Sequence, residues 1–248
     1  MKRRIVTVLI AGLLMAVLCG QALGEGLSRE QGDIIINELR QIRQVLEKQQ
    51  KAAAAPGEPA KPERVRLKIG RETALGRSDA PLVMLEYTDY QCAYCNRFYT
   101  TTFPELKKQY IDTGKLRFIS RDFPLDFHQN AMKAAQATRC AGDQEKFWQM
   151  KDALMTNYAR LTPALITSLA RDAALDMEKF QACVDGGKYL IEIKEGVAAA
   201  NAIGINGTPS FVLGKVTGDY LEGYLVVGAQ PLTAFEGLLK QLQPGPRQ

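Results

Sequence analysis

The residues best suited to chemistry are two cysteines, Cys92 and Cys95, separated by two residues. An apolar run at 81–85 predicts a short buried strand before them, and the pattern after them predicts a helix that begins at Cys92. The first turn of a helix presents unpaired N–H groups and the positive end of the helix dipole, which both stabilise an anion. This arrangement predicts that Cys92 forms a thiolate and that Cys95, on the same helical face, closes and reopens a disulfide with it.

A zinc half-site and an inert structural bridge are the other interpretations of this pair. Structural zinc would need a second closely spaced pair of ligands, whereas the other cysteines are isolated and His128 is the only histidine. The strand-to-helix setting favours redox chemistry. We therefore predict no metal and no cofactor.

Glu86 lies six residues before Cys92, within the predicted strand. A carboxyl group there is costly to bury unless it has a partner or a role. One interpretation is that Glu86 lies under the cysteine pair and takes the proton of Cys95 when that thiol attacks. The alternative is that strand alternation points Glu86 to solvent.

Four stretches occur in an order that carries a family resemblance: EYTDYQCAYC, RDFPLDFHQNAMKAA, CAGDQEKFW and INGTPSFV. Together they resemble the DsbA-like family of thioredoxin-fold thiol:disulfide oxidoreductases, over residues 80–241. The resemblance implies an α/β class, with a thioredoxin-like fold over residues 64–243 and an inserted α-helical subdomain at about 125–205.

The resemblance also implies roles for residues near the cysteines. Thioredoxin-fold proteins hold a Thr-Pro peptide in cis beside the cysteine pair, which implies that Thr208 and Pro209 align the backbone of an extended substrate. The family commonly has proline after the first cysteine, and this chain has Ala93. Ala93 and Tyr94 form the dipeptide that tunes the reduction potential and faces the substrate.

Cys140 and Cys183 fall in two different predicted helices of the insert. In an oxidising compartment, two lone thiols near an oxidant favour a structural bridge between them. The competing interpretation is a second redox pair that relays electrons to the first. Neither cysteine has the close spacing or the helix-start setting of Cys92.

The N-terminus predicts export. Residues 1–24 combine three basic residues, an apolar run and a small-x-small cleavage site, as in a signal peptide. An uncleaved membrane anchor is the less favoured alternative, because the apolar run is short. Removing residues 1–24 lowers the formal net charge from +5 to +2, which gives no support to nucleic-acid binding. The predicted location is the periplasm or another exported compartment.

Residues 25–51 predict an amphipathic helix, and residues 52–63 a linker that is rich in alanine and proline. Ile35, Leu39, Ile42 and Leu46 recur at spacings of four, three and four, as in a coiled-coil seam. This stripe favours a homo-oligomer formed through residues 28–50. The alternative is that it folds back on the globular domain.

Cap residues predict where the helices of the insert begin. Thr162 precedes a proline, and Asp143 and Asp176 precede other helical patterns, so all three are candidate N-caps. His128, at the start of the insert, is predicted to be a polar surface or capping group rather than a catalyst.

The sequence thus predicts an exported thiol:disulfide oxidoreductase that acts on unfolded or misfolded cysteine-containing proteins, with an oxidase favoured. A membrane partner resembling DsbB would reoxidise it. The alternative is an isomerase or reductase of the DsbC, DsbG or ScsC type, kept reduced by a DsbD-like membrane donor. A further alternative is a non-catalytic chaperone that binds extended peptides.

Overall fold

The computed structural model describes residues 28–54, 63–70 and 72–242, in two compact units divided between Ala60 and Lys61. The first unit contains one described helix, α1, which spans Arg29–Ala54. No described helix is long and apolar enough to cross a membrane. The predicted signal peptide at 1–24 lies outside the described residues.

Helix α1 extends three residues into the segment expected to be linker. Residues 52–54 are alanines, the best helix formers, and the first proline comes only at position 56. Most of the predicted linker, residues 55–62, lies outside the described residues. The exposed side chains of α1 include Ile35, Leu39 and Ile42 of the predicted seam.

The second unit contains a six-stranded sheet. Its strands are β1 (Arg64–Lys68), β2 (Ala74–Leu75), β3 (Leu82–Thr88), β4 (Leu116–Asp122), β5 (Ser210–Thr217) and β6 (Tyr220–Val227). The strand order is β1-β6-β5-β3-β4-β2, in which β3 and β4 are parallel and every other pair is antiparallel. The predicted edge strand, catalytic strand and parallel third strand are confirmed, whereas the two-residue β2 was not predicted.

The segment after the cysteines, α2, is helical from residue 93 to residue 111 in four consecutive pieces. They are Ala93–Arg97, a wider π-type turn at Phe98–Thr102, Phe103–Leu106 and a second π-type turn at Lys107–Ile111. Pro104 accounts for the first irregularity, because it has no N–H to donate to the preceding turn. The predicted break near Pro104 is therefore a local widening of a continuous helix.

Five α-helices form the insert between β4 and β5: α3 (Ala131–Gly142), α4 (Phe147–Thr156), α5 (Pro163–Asp172), α6 (Met177–Asp185) and α7 (Leu190–Asn201). The predicted caps at Thr162 and Asp176 are confirmed, since each side chain accepts a bond from the backbone N–H three residues later. The cap predicted at Asp143 is wrong. Helix α4 begins after Lys146, and the Asp143 carboxylate binds Lys188 and Tyr189 instead.

Strand alternation divides the core of this unit. Leu82 and Met84 of β3 pack under α2 and the C-terminal helix α8 (Leu232–Leu242), while Val83 and Leu85 pack on the opposite face of the sheet. A third cluster fills the insert. It includes both cysteines of the motif, so the insert covers the end of the sheet at which they lie.

Candidate active site

Cys92 occupies the N-cap of α2, directly beyond the end of β3. Its backbone is extended, and its carbonyl accepts the first helical bond from the Asn96 N–H at 3.0 Å. Its Sγ lies 3.4 Å from the carbonyl oxygen of Thr208. The strand thus delivers a sulfur atom to the positive end of a helix.

The helix start favours the thiolate form of Cys92, whereas the Thr208 carbonyl oxygen accepts from the protonated sulfur. The pKa of Cys92 is lowered from its ordinary value of 9.0 to about 6. The hydrogen bond with Cys95 has the largest effect, burial opposes it, and the N–H groups of Cys95 and Tyr94 lower the pKa further. A pKa below 7 keeps a thiol largely ionised at neutral pH, which is the form that a nucleophilic cysteine requires.

Cys95 has the opposite environment. Its side chain is completely buried, and its Sγ accepts a hydrogen bond from the Asp89 N–H at 3.4 Å. Burial raises the pKa of Cys95 well above its ordinary value, and the negative charges of Cys92 and Glu86 raise it further. Both thiols are free in this structure, so the pair comprises one activated sulfur and one protected sulfur.

Glu86 is completely buried in β3 and lies on the sheet face that packs under α2, together with Met84. Its Oε2 accepts hydrogen bonds from Lys151 Nζ at 2.7 Å and from Ser120 Oγ at 3.1 Å. Its Oε1 is buried and has no hydrogen-bond partner among the described residues. The solvent-facing interpretation of Glu86 is wrong, because the carboxylate has an ion-pair partner within the core.

Sequence reasoning missed Lys151. Its side chain is completely buried on α4, and its Nζ also donates to Ser120 Oγ at 2.8 Å. A signal was present, since Lys151 falls at helical spacing between Phe147 and Leu154, on the apolar face of α4. A charged residue at such a position requires a buried partner.

A second missed residue is Asp89, whose buried carboxylate fastens the segment after β4 to the cysteine motif. Asp89 Oδ1 accepts from the Gln91 N–H at 2.6 Å, and Oδ2 accepts from the Leu125 N–H at 2.8 Å. His128 Nδ1 also lies 2.8 Å from Oδ2, and the ring is mostly buried. His128 is therefore a partner of Asp89.

The peptide bond between Thr208 and Pro209 is cis, at the entry to β5. The carbonyl oxygen of Pro209 accepts a bond from the Gly228 N–H at 2.8 Å, which ties this turn to the end of β6. Ala93 and Tyr94 are exposed on the first turn of α2. The structure thus brings the cysteines, the Thr208 carbonyl and the intervening dipeptide together.

Cys140 and Cys183 are joined by a disulfide that links α3 to α6 within the insert, with an S–S distance of 2.00 Å. Cys140 is buried in the same apolar cluster as Cys92 and Cys95. In the described part of the chain, no group of three or more His, Cys, Asp or Glu side chains could hold a metal ion.

The family model described as thioredoxin matches residues 68–221, more than half of the chain. The chain belongs to the thioredoxin family. Within this family, its solved structural neighbours include DsbA proteins. The crystal structure of α-DsbA1 from Wolbachia pipientis is 28% identical, with a TM-score of 0.63, over 71% of this chain and 92% of that chain. BdbD from Bacillus subtilis is 20% identical with a TM-score of 0.61, and shows the same fold.

Curated relatives of two kinds are among the matches. A Rickettsia felis protein named as a protein-disulfide oxidoreductase is 31% identical over 172 residues, which are 64% of this chain and 60% of that protein. A Na(+)/H(+) antiporter NhaA 1 of Salinispora arenicola is 32% identical over 142 residues, which are 57% of this chain and 21% of that protein. The chain thus spans less than two thirds of the length of these relatives. The expected thioredoxin-like α/β fold with DsbA-like neighbours is confirmed.

Proposed function

We propose that this protein is a thiol:disulfide oxidoreductase in which Cys92 forms the mixed disulfide with the substrate. Cys95 is the second thiol, which closes or reopens the disulfide with Cys92. The observation that carries the proposal is the contrast between the two sulfurs. The pKa of Cys92 is lowered to about 6, whereas that of the buried Cys95 is raised. Thiol–disulfide exchange needs a thiolate that attacks first and a second thiol protected until the mixed disulfide forms.

Glu86 is the proposed proton acceptor for Cys95. Its carboxylate contributes to raising the pKa of Cys95, and one carboxylate oxygen is buried with no hydrogen-bond partner in the described part of the chain. In the resolving step the Cys95 proton passes to Glu86, and the Cys95 thiolate attacks Cys92 Sγ. The bond between Cys92 and the substrate sulfur breaks, the Cys92–Cys95 disulfide forms, and the substrate leaves as a thiolate that takes up a proton.

The proposed substrates are unfolded or misfolded cysteine-containing proteins. The carbonyl oxygen of Thr208 lies 3.4 Å from Cys92 Sγ, so a backbone segment that carries the attacked sulfur would lie beside Thr208 and Pro209. Exposed Ala93 and Tyr94 would border the same segment. Substrate would then be bound mainly through its backbone, in an extended form.

The direction of electron flow that we propose is oxidation of substrate, in which the exchange above runs in reverse. A substrate thiolate attacks Cys92 Sγ of the Cys92–Cys95 disulfide, and Cys95 leaves and takes up a proton. A second substrate thiolate then attacks the substrate sulfur of the mixed disulfide, so the substrate disulfide forms and Cys92 leaves as a thiolate.

Stabilising the Cys92 thiolate favours the reduced enzyme, which makes its disulfide a stronger oxidant. The N-terminal signal pattern at 1–24 supports export to the periplasm, where a DsbB-like membrane partner would reoxidise the enzyme. Equilibration with glutathione tests this direction: a potential near −120 mV, to within roughly 30 mV, would support an oxidase, and one near about −270 mV a reductase.

Self-association through α1 would favour a second candidate, an isomerase or reductase served by a DsbD-like donor. The side chains of Ile35, Leu39 and Ile42 are exposed on α1 at coiled-coil spacing, which supports pairing with a second copy of α1. A potential intermediate between the two values above, in a protein that is oligomeric, would favour this candidate over the oxidase. The third candidate, a chaperone without catalysis, would keep its function without Cys92.

The assignment is tested by replacing Cys92 with serine. We expect C92S to lose both reduction of insulin and oxidation of a reduced peptide completely, because serine cannot form the mixed disulfide. The C140S/C183S double variant is the matched control, since it removes two sulfurs outside the proposed site. Unchanged turnover by C92S would rule out the catalytic assignment and favour the chaperone.

A further inference from the structure

Asp89 contacts both cysteines of the motif through its backbone. It is the first residue after β3, in the turn that leads to the helix start at Cys92. Its N–H donates to Cys95 Sγ at 3.4 Å, and its carbonyl oxygen accepts from the Cys92 N–H at 3.2 Å. The position of this one residue therefore affects what both cysteines contact.

The carboxylate of Asp89 fixes that backbone in place. Its side chain is completely buried, although aspartate is rarely buried without partners. Oδ1 accepts from the Gln91 N–H at 2.6 Å, within the turn itself. Oδ2 accepts from the Leu125 N–H and contacts His128 Nδ1, both at 2.8 Å. Both oxygens are thus occupied, by groups from two separate segments of the chain.

These contacts of the Asp89 carboxylate with Gln91, Leu125 and His128 form what we call the Asp89 clamp. A further bond lies beside it, in which the Asn130 N–H donates to Gln91 Oε1 at 2.6 Å. The clamp therefore joins the turn before Cys92 to residues 125–130, which lead into α3 of the insert.

A fixed donor at Cys95 Sγ matters because this sulfur is a costly place for charge. Cys95 is completely buried, and burial raises the pKa of its thiol well above the ordinary value. An N–H group that is already in position stabilises charge that develops only during a reaction, and it does so without reorganisation.

Charge develops at Cys95 Sγ in both directions of the exchange. In the resolving step the Cys95 thiolate attacks Cys92 Sγ, the Cys92–Cys95 bond forms, and the substrate leaves Cys92 as a thiolate. In the opposite direction a substrate thiolate attacks Cys92 Sγ of the disulfide, and Cys95 leaves as a thiolate that then takes up a proton. The Asp89 N–H is therefore placed to act in either direction.

We propose that Asp89 is a positioning residue, whose clamped carboxylate keeps its own N–H directed at Cys95 Sγ to stabilise the charge on that sulfur as it attacks or leaves. The inference rests on the proposed function, because it requires that Cys95 exchanges with Cys92. It applies whether the protein oxidises or reduces its substrates. The segment before the insert thus contributes to the chemistry of the cysteine pair.

Replacing Asp89 with asparagine predicts a slower reaction at Cys95. The amide nitrogen of asparagine cannot accept a hydrogen bond, so D89N must release either the Gln91 N–H or the Leu125 N–H. Removing one preorganised donor typically slows catalysis by about 10²-fold or more. In D89N the donor is displaced rather than deleted, and sulfur is a weak acceptor, so resolution should slow by about 10-fold.

The experiment mixes the reduced protein with oxidised glutathione, quenches with acid, and follows the mixed disulfide at Cys92 by mass spectrometry. In D89N this species should form at the wild-type rate and accumulate, because only its resolution by Cys95 slows. D126N is the matched control, since Asp126 is exposed and lies between Leu125 and His128.

The reverse reaction gives a readout that a merely structural role would not produce. Reduction of the oxidised protein by glutathione should slow in D89N by the same factor as resolution. The equilibrium constant with glutathione should stay within about twofold of wild type, because the charged Cys95 sulfur is present only during the reaction. A carboxylate that only held the fold would lower the stability of D89N toward urea and leave both rates unchanged.

A C95A background isolates the reaction of Cys92. There the mixed disulfide with glutathione is the end product, so its formation by Cys92 is measured alone. D89N/C95A should match C95A, because the Asp89 N–H has no sulfur at position 95 to stabilise. H128A is a second variant if D89N does not fold. It removes one contact of Oδ2 and should slow the Cys95 step by about 3-fold.

Two results would overturn the inference. Resolution by D89N at the wild-type rate would remove Asp89 from the mechanism, as would H128A at the wild-type rate where D89N does not fold. A D89N/C95A variant slower than C95A would also overturn it, because Asp89 would then act on Cys92. Loss of turnover in C92S would still uphold the oxidoreductase in either case, whereas unchanged turnover in C92S would remove the proposed function itself.

Discussion

At the scale of single residues, the two cysteines of the pair differ in burial and in the direction of their pKa shifts. Cys95 lies within α2, whereas Cys92 is its N-cap, where backbone N–H groups reach the Cys92 sulfur. Cys95 lies one turn further into the core and is completely buried. The same residue type therefore has opposite proton affinities at two positions three residues apart.

The pH dependence of alkylation tests this division. Iodoacetamide should modify Cys92 with a midpoint near pH 6, following its lowered pKa, and should leave Cys95 unmodified in the folded protein. In C95A the Cys92 midpoint should move upward, because the hydrogen bond with Cys95 has the largest effect on its pKa. A Cys92 midpoint near 9 in the wild type would contradict the description of the site. Mass spectrometry identifies the modified residue.

The lowered pKa of Cys92 also makes the folding stability of the reduced protein depend on pH. Because the pKa of Cys92 is depressed by folding, the reduced protein gains stability as pH rises from about 6 toward 9, and loses that gain as pH falls through about 6. The oxidised protein has no Cys92 thiol to titrate. Urea denaturation of both forms across this range should therefore show a pH-dependent difference between them.

At the scale of elements, the predicted N-caps show where neighbouring residues decide a side chain's partner and where distant residues do. Thr162 and Asp176 cap helices that begin at the very next residue, so each side chain reaches the backbone N–H three residues later. Asp143 has the same residue type but is recruited by Lys188 and Tyr189, which are distant in sequence. A charge-assisted bond to these side chains replaces the local cap.

The Cys140–Cys183 disulfide belongs to this scale because it ties α3 to α6. The two residues are 43 apart in sequence, and closing a loop of that length stabilises a fold by up to about 4 kcal/mol on the chain-entropy model. The C140S/C183S variant should therefore lose stability by up to this amount in chemical denaturation. Its Cys92–Cys95 potential should equal that of the wild type. A changed potential at unchanged stability would favour the second redox pair.

At the scale of the whole molecule, the chain combines the α1 unit with the thioredoxin-family unit. Each has its own organisation: α1 exposes an apolar stripe, and the second unit buries three clusters around its sheet and insert. A stripe with coiled-coil spacing can be covered by a second copy of itself.

Light scattering after size exclusion tests this pairing. The protein without residues 1–24 should form an oligomer, and L39E should be a monomer, because it places a charge in the apolar seam. Q41E adds the same charge at an exposed position outside the seam and is the matched control. A monomer in wild type and both variants would refute self-association and favour the stripe folding back.

The sequence by itself determined the elements whose causes are local. Strand alternation, helix-start signals and the two-residue spacing of the cysteines identified the strand before the cysteines, the edge strand β1 and the proposed nucleophile, Cys92. Only the tertiary structure decided how charge is balanced beneath the cysteines. Glu86 and Lys151 are 65 residues apart and meet because the insert folds over the sheet. Their meeting is fixed by packing between elements, which no pattern within a single element encodes.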